Sequence, residues 1–263
     1  MPTFTTEGVR LFYRVEGKGQ PVILIHGLGG DHTAWEGPVL DAMRACRTVV
    51  RMDLRGHGRS GRGRALASSK QHAHDVAALL SLLGIKQVPV LGVSMGGTVA
   101  MALAHQYSQR VAALALISTW AACDAHVRAC FLEWEAASRA SRKVLQDVAL
   151  IRSATPEYVA ANPALIARFR RAWPTNHGPA FRAACRACIE HDARGYLDKI
   201  TVPALVVAGD RDIFIPPTLS RFLARALPNA RLRRVRGGGH VPWLDAPEEM
   251  VSVVQAFLRR GGR

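Results

Sequence analysis

Acidic residues are scarce in this chain. Asp and Glu total 20 against 35 Lys and Arg among 263 residues, a formal net charge of +15. An excess of that size raises nucleic acid, an anionic membrane or an acidic substrate as partners. The arginines, however, run from Arg10 to Arg263 without gathering into one block, and no nucleic-acid-binding motif accompanies them. Nucleic acid is therefore not an expected partner. Long apolar runs are missing too: none reaches the roughly 18 residues that would suggest a membrane span, so no membrane partner is expected. The N-terminus, Met-Pro-Thr-Phe-Thr-Thr-Glu, has neither the basic start nor the apolar stretch of a secretory signal, and a cytoplasmic location is the expectation. Cysteines are few and odd in number: Cys46, Cys123, Cys130, Cys185 and Cys188. They read as reduced thiols and not as a disulfide framework. Cys185 and Cys188 make a C-x-x-C in a segment that looks helical, with nothing at zinc-site spacing to pair with it, and are read as packing. Repeats and low-complexity tracts are absent.

Apolar residues make up 49% of the chain, ample for a core. The length suits one large α/β domain carrying a small insertion. Val9 to Val15 alternate well enough for an early strand. Val22-Ile23-Leu24-Ile25 is short and wholly apolar, as a strand buried on both faces should be. Further strands are predicted over Thr48–Met52, Val88–Leu91, Val111–Ile117, Val202–Ala208 and Arg231–Val235. Helices are predicted near Trp35–Ala45, over Ser69–Leu83, after the Gly92–Gly97 turn through Tyr107, after Pro217 and from about Pro247 to Arg260. Strand and helix alternate from residue 22 to about 118, which argues for a doubly wound, mostly parallel sheet. From Trp120 to Asp198 strand-like runs vanish, and helices broken at Pro156, Pro163, Pro174 and Pro179 take their place. The expected organisation is a core of residues 1–119 and 200–263 with a helical lid over 120–199.

Gly92-x-Ser94-x-Gly96 follows one predicted strand and opens a helix. A serine hydroxyl is a poor nucleophile unless exposed, relieved of its proton and backed by oxyanion donors. A sharp strand-to-helix turn supplies the exposure, and flanking glycines let the backbone make it. Ser94 is thus the candidate nucleophile, and the N–H of Met95 a candidate oxyanion donor. The second donor should come from His26-Gly27-Leu28-Gly29-Gly30, which closes an earlier strand at the same edge, through the Leu28 N–H; His26 reads as structural.

The base should be a late histidine on a loop. His240, after Gly237-Gly238-Gly239 and the last strand, fits. His32, His57, His72, His74, His105, His126, His177 and His191 read as surface or packing. The acid should follow an earlier strand. Asp210 and Asp212 compete after Leu205–Gly209; Asp212 is further into the loop and better placed to reach His240, while Asp210 suits holding the loop or pairing with Arg211. Asp124 is a rival beyond the Leu114–Ile117 strand. The order Ser, Asp, His matches a triad on an α/β sheet.

With these residues in view, the sequence resembles the α/β-hydrolase superfamily. The likeness rests on His26-Gly27-Leu28-Gly29, Asp53-Leu54-Arg55-Gly56-His57-Gly58-Arg59-Ser60, Gly92-Val93-Ser94-Met95-Gly96-Gly97, Gly209-Asp210-Arg211-Asp212 and Gly239-His240. The resemblance implies that Asp212 is the triad acid and that the loop from Asp53 is structural. Within the superfamily the chain is most similar to the 3-oxoadipate enol-lactonase and cofactor-free haloperoxidase or esterase group, through His191-Asp192-Ala193-Arg194, Leu197 to Pro203 and Ile215-Pro216-Pro217. Dehalogenases and epoxide hydrolases of this fold carry an aspartate at the elbow, where Ser94 stands here. The expected function is a serine hydrolase that cleaves a carboxylic ester or lactone of a small molecule through an acyl-enzyme, with no metal or organic cofactor. Alternatives are carbon–carbon bond hydrolysis of a diketone, acyl transfer or perhydrolysis with the same triad, and a non-enzymatic binding protein. Trp120, Phe131, Trp134, Phe169, Trp173 and Phe181 in the lid read as core or as an apolar pocket wall. Arg128, Arg168 and Arg171 read as a solvated face, or as cations meeting a substrate carboxylate. Nothing in the sequence specifies an oligomeric state.

Overall fold

The computed structural model describes residues 2–63, 67–174 and 178–259, apart from the side chains of residues 165, 166, 168 and 172. The chain opens with strands β1 (Thr3–Thr6), β2 (Val9–Glu16) and β3 (Pro21–Ile25). A short 3₁₀ turn (His32–Trp35) and helix α1 (Pro38–Arg44) lead to β4 (Thr48–Met52), then α2 (Ser69–Leu82), β5 (Val88–Val93), α3 (Met95–Gln106) and β6 (Val111–Ile117). Five helices follow: α4 (Ala125–Ala140), α5 (Arg142–Ser153), α6 (Pro156–Ala161), α7 (Pro163–Ala172) and α8 (Gly178–Glu190). The alternation then resumes with β7 (Ala204–Gly209), α9 (Pro217–Ala226), β8 (Ala230–Val235), α10 (Pro242–Asp245) and α11 (Pro247–Arg259).

The strands form one eight-stranded sheet in the order β1-β2-β4-β3-β5-β6-β7-β8. β1 pairs with β2 and β2 with β4 antiparallel, and the other pairs are parallel. The apolar runs in β3, β5 and β6 follow from burial on both faces. On β3, Ile23 and Ile25 pack on the α2–α3 side, and Val22 and Leu24 on the α1–α11 side. On β5, Val88 and Val90 face one way and Leu91 and Val93 the other. A strand has period two, so covering both faces requires apolar side chains at every position.

Three differences from the sequence-based expectation have physical causes. β1 was not expected, because Thr3-Phe4-Thr5-Thr6 is half exposed and carries no apolar signature. The helix expected over Trp35–Ala45 is split, since Gly37 adopts φ +117 ahead of Pro38. Ala246 likewise leaves the helical region before Pro247, so a separate short helix, α10, precedes α11.

Helices α4–α8 are inserted between the adjacent strands β6 and β7. The starts of α4, α5 and α6 are capped by side chains that accept otherwise unpaired N–H groups: Asp124 from Val127, Ser141 from Val144 and Thr155 from Tyr158. The neck is closed by the bridge Ala122–Asp192, where the Ala193 N–H donates to the Ala121 carbonyl at 2.7 Å. Buried Glu135 on α4 accepts from Arg139 and from Arg186 on α8, which ties the two helices together. No described helix is long and apolar enough to cross a membrane.

At the centre of the sheet the chain runs from β3 outwards to β4, and from β5 outwards to β6. The loops that leave β3 and β5 therefore diverge and open a crevice at the strands' C-terminal ends.

Candidate active site

Ser94 sits at that crevice, between β5 and α3, with φ +55 and ψ −122. Few residues other than glycine adopt this conformation, and it costs on the order of 1–3 kcal/mol. Surrounding hydrogen bonds hold it there. The Ser94 N–H donates to the Ile117 carbonyl at 2.8 Å. The Ser94 carbonyl accepts from the Gly97 N–H at 2.9 Å and the Thr119 hydroxyl at 2.8 Å. The glycines around it are required by packing. A Cβ on Gly92 would strike the Gly96 carbonyl, one on Gly96 the Ile25 and His26 carbonyls, and one on Gly97 the Thr119 side chain. Serine therefore stands on a turn that only bare backbone can make.

The loop after β3 passes directly in front. A Cβ on Gly27 would lie 3.3 Å from the Ser94 Cβ. His26 fixes this loop: its Nδ1 lies 2.8 Å from the Gly27 carbonyl, and its Nε2 accepts the Leu54 N–H at 3.0 Å. One nitrogen must donate and the other accept, so the ring is neutral. Burial likewise pushes the His26 pKa below its ordinary value.

His240 follows β8 and is buried, with Nδ1 2.9 Å from Asp212 Oδ2. A carboxylate can only accept, so Nδ1 carries a proton, and in the neutral ring the lone pair is on Nε2. The other Asp212 oxygen accepts the N–H groups of Phe214 and Ile215 at 2.9 and 2.8 Å. Asp212 is thus held by backbone on one side and holds the imidazole on the other. Phe214 packs edge-on against the His240 ring, with centroids 4.7 Å apart.

The rival carboxylates have other partners. Asp210 is exposed and accepts the Gly237 N–H, so it holds the loop. Arg211 bonds to Glu157 on α6 instead of to Asp210. Asp124 is spent on capping α4.

Ser94, His240, Gly27 and Leu28 line one cavity of about 590 Å³. Its far wall comes from the helical insertion, through Trp134, Ser153, Tyr158, Phe169 and Trp173. The other lid aromatics are core: Trp120, Phe131 and Phe181 are fully buried. Arg128 and Arg171 are exposed and do not line the cavity; the Arg168 side chain and His177 lie outside the described residues. The charged residues among the described lining are Asp31 and Glu36.

Contacts that sequence reasoning missed join the insertion to the catalytic loops. Asp245 on α10 accepts the Thr155 N–H and hydroxyl through one oxygen and the Gly239 N–H, next to His240, through the other. The Val241 N–H donates to the Ser153 carbonyl. The Trp173 indole donates to the Leu28 carbonyl. No local pattern announces these pairings, since the partners stand far apart in the chain.

One further group brings ligand-type atoms together: Asp31, His32 and Asp53, within 4.8 Å of one another. Their atoms are already used to build the loops. Asp53 accepts from the His32 N–H and ring and from the Arg59 N–H, and Asp31 accepts from the Thr33 N–H and hydroxyl. The C-x-x-C is likewise structural. Cys185 and Cys188 are buried free thiols whose pKa values burial pushes up, the opposite of a reactive pair.

Comparison with known proteins agrees with this arrangement. The family model described as "alpha/beta hydrolase fold" matches residues 20–247. The chain belongs to the α/β-hydrolase family. A solved enol-lactonase from Burkholderia xenovorans LB400 superposes with TM-score 0.91 at 28% identity, over 98% of this chain and 100% of that one. An esterase from Thermogutta terrifontis superposes with TM-score 0.87 at 27% identity, over 99% and 97%. A protein of Azorhizobium caulinodans, named provisionally as the carbamate hydrolase RutD, is 31% identical over 94% of each chain. The α/β-hydrolase described here is accordingly a hydrolase of small molecules.

Proposed function

We propose that this α/β-hydrolase cleaves an uncharged carboxylic ester, lactone or carbamate through an acyl-enzyme on Ser94. The observation that carries the reading is the shared cavity: Ser94 on its strained turn and His240, locked to Asp212, open into the same space. The His240 Nε2 takes the Ser94 proton as the hydroxyl oxygen attacks the carbonyl carbon. The N–H groups of Leu28 and Met95 receive the developing oxyanion, and the N-terminus of α3 adds its dipole. Collapse of the tetrahedral intermediate breaks the carbon–oxygen bond, and His240 gives the proton to the leaving alcohol. Water then attacks the acyl group, losing its proton to His240, and Ser94 is regenerated as the acid departs. In a lactone the freed hydroxyl is part of the acyl chain, and the second step releases one hydroxy acid. Asp212 keeps Nδ1 protonated and steadies the imidazolium throughout.

The cavity supports the substrate class. Its volume suits a small molecule, and its wall is aromatic. Asp31 and Glu36 at the lining would repel a substrate carboxylate, so the acidic ester that lid arginines suggested is not favoured. Carbamates join the class because the relative named for carbamate hydrolysis shares nearly the whole chain.

Fluorophosphonate labelling with peptide mapping tests the nucleophile. Label on the Ser94 peptide of the native protein, absent from Ser94→Ala, is the expected result; no label on folded native protein overturns the reading. Paired neutral and carboxylate-bearing esters test the class, with the neutral member turned over faster.

A further inference from the structure

We propose that Trp173, in the insertion, is a positioning residue for the oxyanion-binding loop: its indole N–H holds the Leu28 carbonyl and so fixes the backbone that presents the Leu28 N–H. This rests on the reading of Leu28 as an oxyanion donor.

Two separate observations meet at this contact. The first is the hydrogen bond itself, from Trp173 Nε1 to the Leu28 carbonyl at 3.2 Å. Leu28 is buried, and a buried carbonyl left without a donor is costly. The second is the absence of a side chain on the next residue. A Cβ on Gly29 would lie 2.8 Å from the Cε2, Cζ2 and Nε1 atoms of the indole. Gly29 also has φ +72. The loop is therefore shaped to receive a flat ring at this point.

The ring is fixed independently of the loop. Trp173 caps α7, with its N–H donating to the Phe169 carbonyl. Gln146 on α5, itself buried, donates from Nε2 to the carbonyls of Arg170 and Trp173, at 2.7 Å each. The indole stacks on Phe169 (centroids 5.2 Å apart, planes 19° apart) and meets Trp134 and Phe181 edge-on. Packing alone could be met by another ring. Only the indole adds an N–H at the carbonyl.

The consequence is mechanistic. The N–H and the carbonyl of Leu28 flank one α-carbon, so restraining the carbonyl restrains the direction of the N–H. Oxyanion donors act through being fixed before charge develops, and small misplacements are expensive. The oxyanion site is thus completed by the insertion, and is in register when the insertion is seated.

The test is Trp173→Phe, which keeps an aromatic wall and removes the donor. We expect kcat on short esters to fall about tenfold with KM within about twofold, since the loss is confined to the transition state. The rate of fluorophosphonate inactivation should fall in parallel, because phosphonylation builds the same oxyanion, while a melting curve still shows a cooperatively folded protein at the assay temperature. Gly29→Ala should lower the same two rates, and by less in a Trp173→Ala background, where no ring is displaced. Unchanged kcat and inactivation rate in Trp173→Phe, with Ser94 of the native protein still labelled, would overturn the inference alone. A loss confined to KM would also overturn it, by making Trp173 a wall of the pocket and nothing more. Failure of the native protein to label would bring down the nucleophile assignment, and this inference with it.

Discussion

The two walls of the cavity are built on different principles. The wall on the sheet side is held by backbone: glycines whose Cβ atoms would strike carbonyl oxygens, and peptide N–H groups that grip Asp212. The wall from the insertion is held by side chains, with Trp134, Phe169, Trp173 and Phe181 packed on one another. Backbone contacts admit almost no substitution, whereas an aromatic cluster accepts another of similar volume. Replacement is all but barred on the sheet side and cheaper in the insertion, except at the Trp173 indole N–H, which a phenyl ring does not supply.

Substitutions on either side can break or sharpen this contrast. On the sheet side, Asp212→Asn should lower kcat on the order of 10⁴-fold with little change in fold, because the amide can stabilise the wrong imidazole tautomer. Steady-state kinetics beside a melting curve would show it. Gly96→Ala should be among the most damaging changes of a single methyl group. Its Cβ meets the Ile25 and His26 carbonyls, which cannot move aside, and we expect a loss of about 2–4 kcal/mol in urea denaturation and of most activity. On the insertion side, Tyr158→Ala should raise KM for short esters about fivefold and leave kcat within about twofold, as expected for roughly 1 kcal/mol of uniform binding. An effect of Tyr158→Ala confined to kcat would break the contrast.

The smallest effect at neutral pH concerns stability. Burial depresses the pKa of His26, His57, His72 and His191 below the ordinary value near 6.5, to about 3 for His72 and about 4 for His191. The unfolded chain binds these protons first as pH falls. The stability each neutral ring contributes is therefore complete above pH 6.5 and lost as pH drops below it, towards 3–4 for His72 and His191, at up to about 1.4 kcal/mol per pH unit per proton. Urea midpoints should fall between pH 7 and pH 5, and His72→Gln should flatten the slope.

What could be read in the sequence divides along the same line. β4 and β6 have the bounds that the apolar runs predict, because burial on both faces writes itself into consecutive residues. Ser94, Asp212, His240 and the loop containing Leu28 do come together at one end of the sheet, since each follows a recognisable strand. The insertion was legible as helices, yet its partners were not. Helical spacing gives the apolar face of α4 or α7 and not the surface it covers. Gly29 was read as part of a turn, although the neighbour that forbids a side chain there is Trp173, far along the chain. The glycines before His240 were read only as marking the loop that follows the last strand. Part of their purpose is close packing, since a Cβ on Gly239 would lie 3.0 Å from Asp245 Oδ2 and 3.3 Å from the Ala154 backbone.

The two edges of the sheet bear on a different problem. An open edge is an invitation for a second copy to add its own strand. β1, at one end, is only four residues long and offers little to pair with. β8, at the other, is a full strand, but Arg231, Arg233 and Arg234 lie along it, and Arg233 and Arg234 are exposed. Two molecules meeting edge to edge there would set guanidinium against guanidinium down the strand. Part of the chain's large positive charge thus acts as a guard against self-association through the sheet, a use that requires no anionic partner.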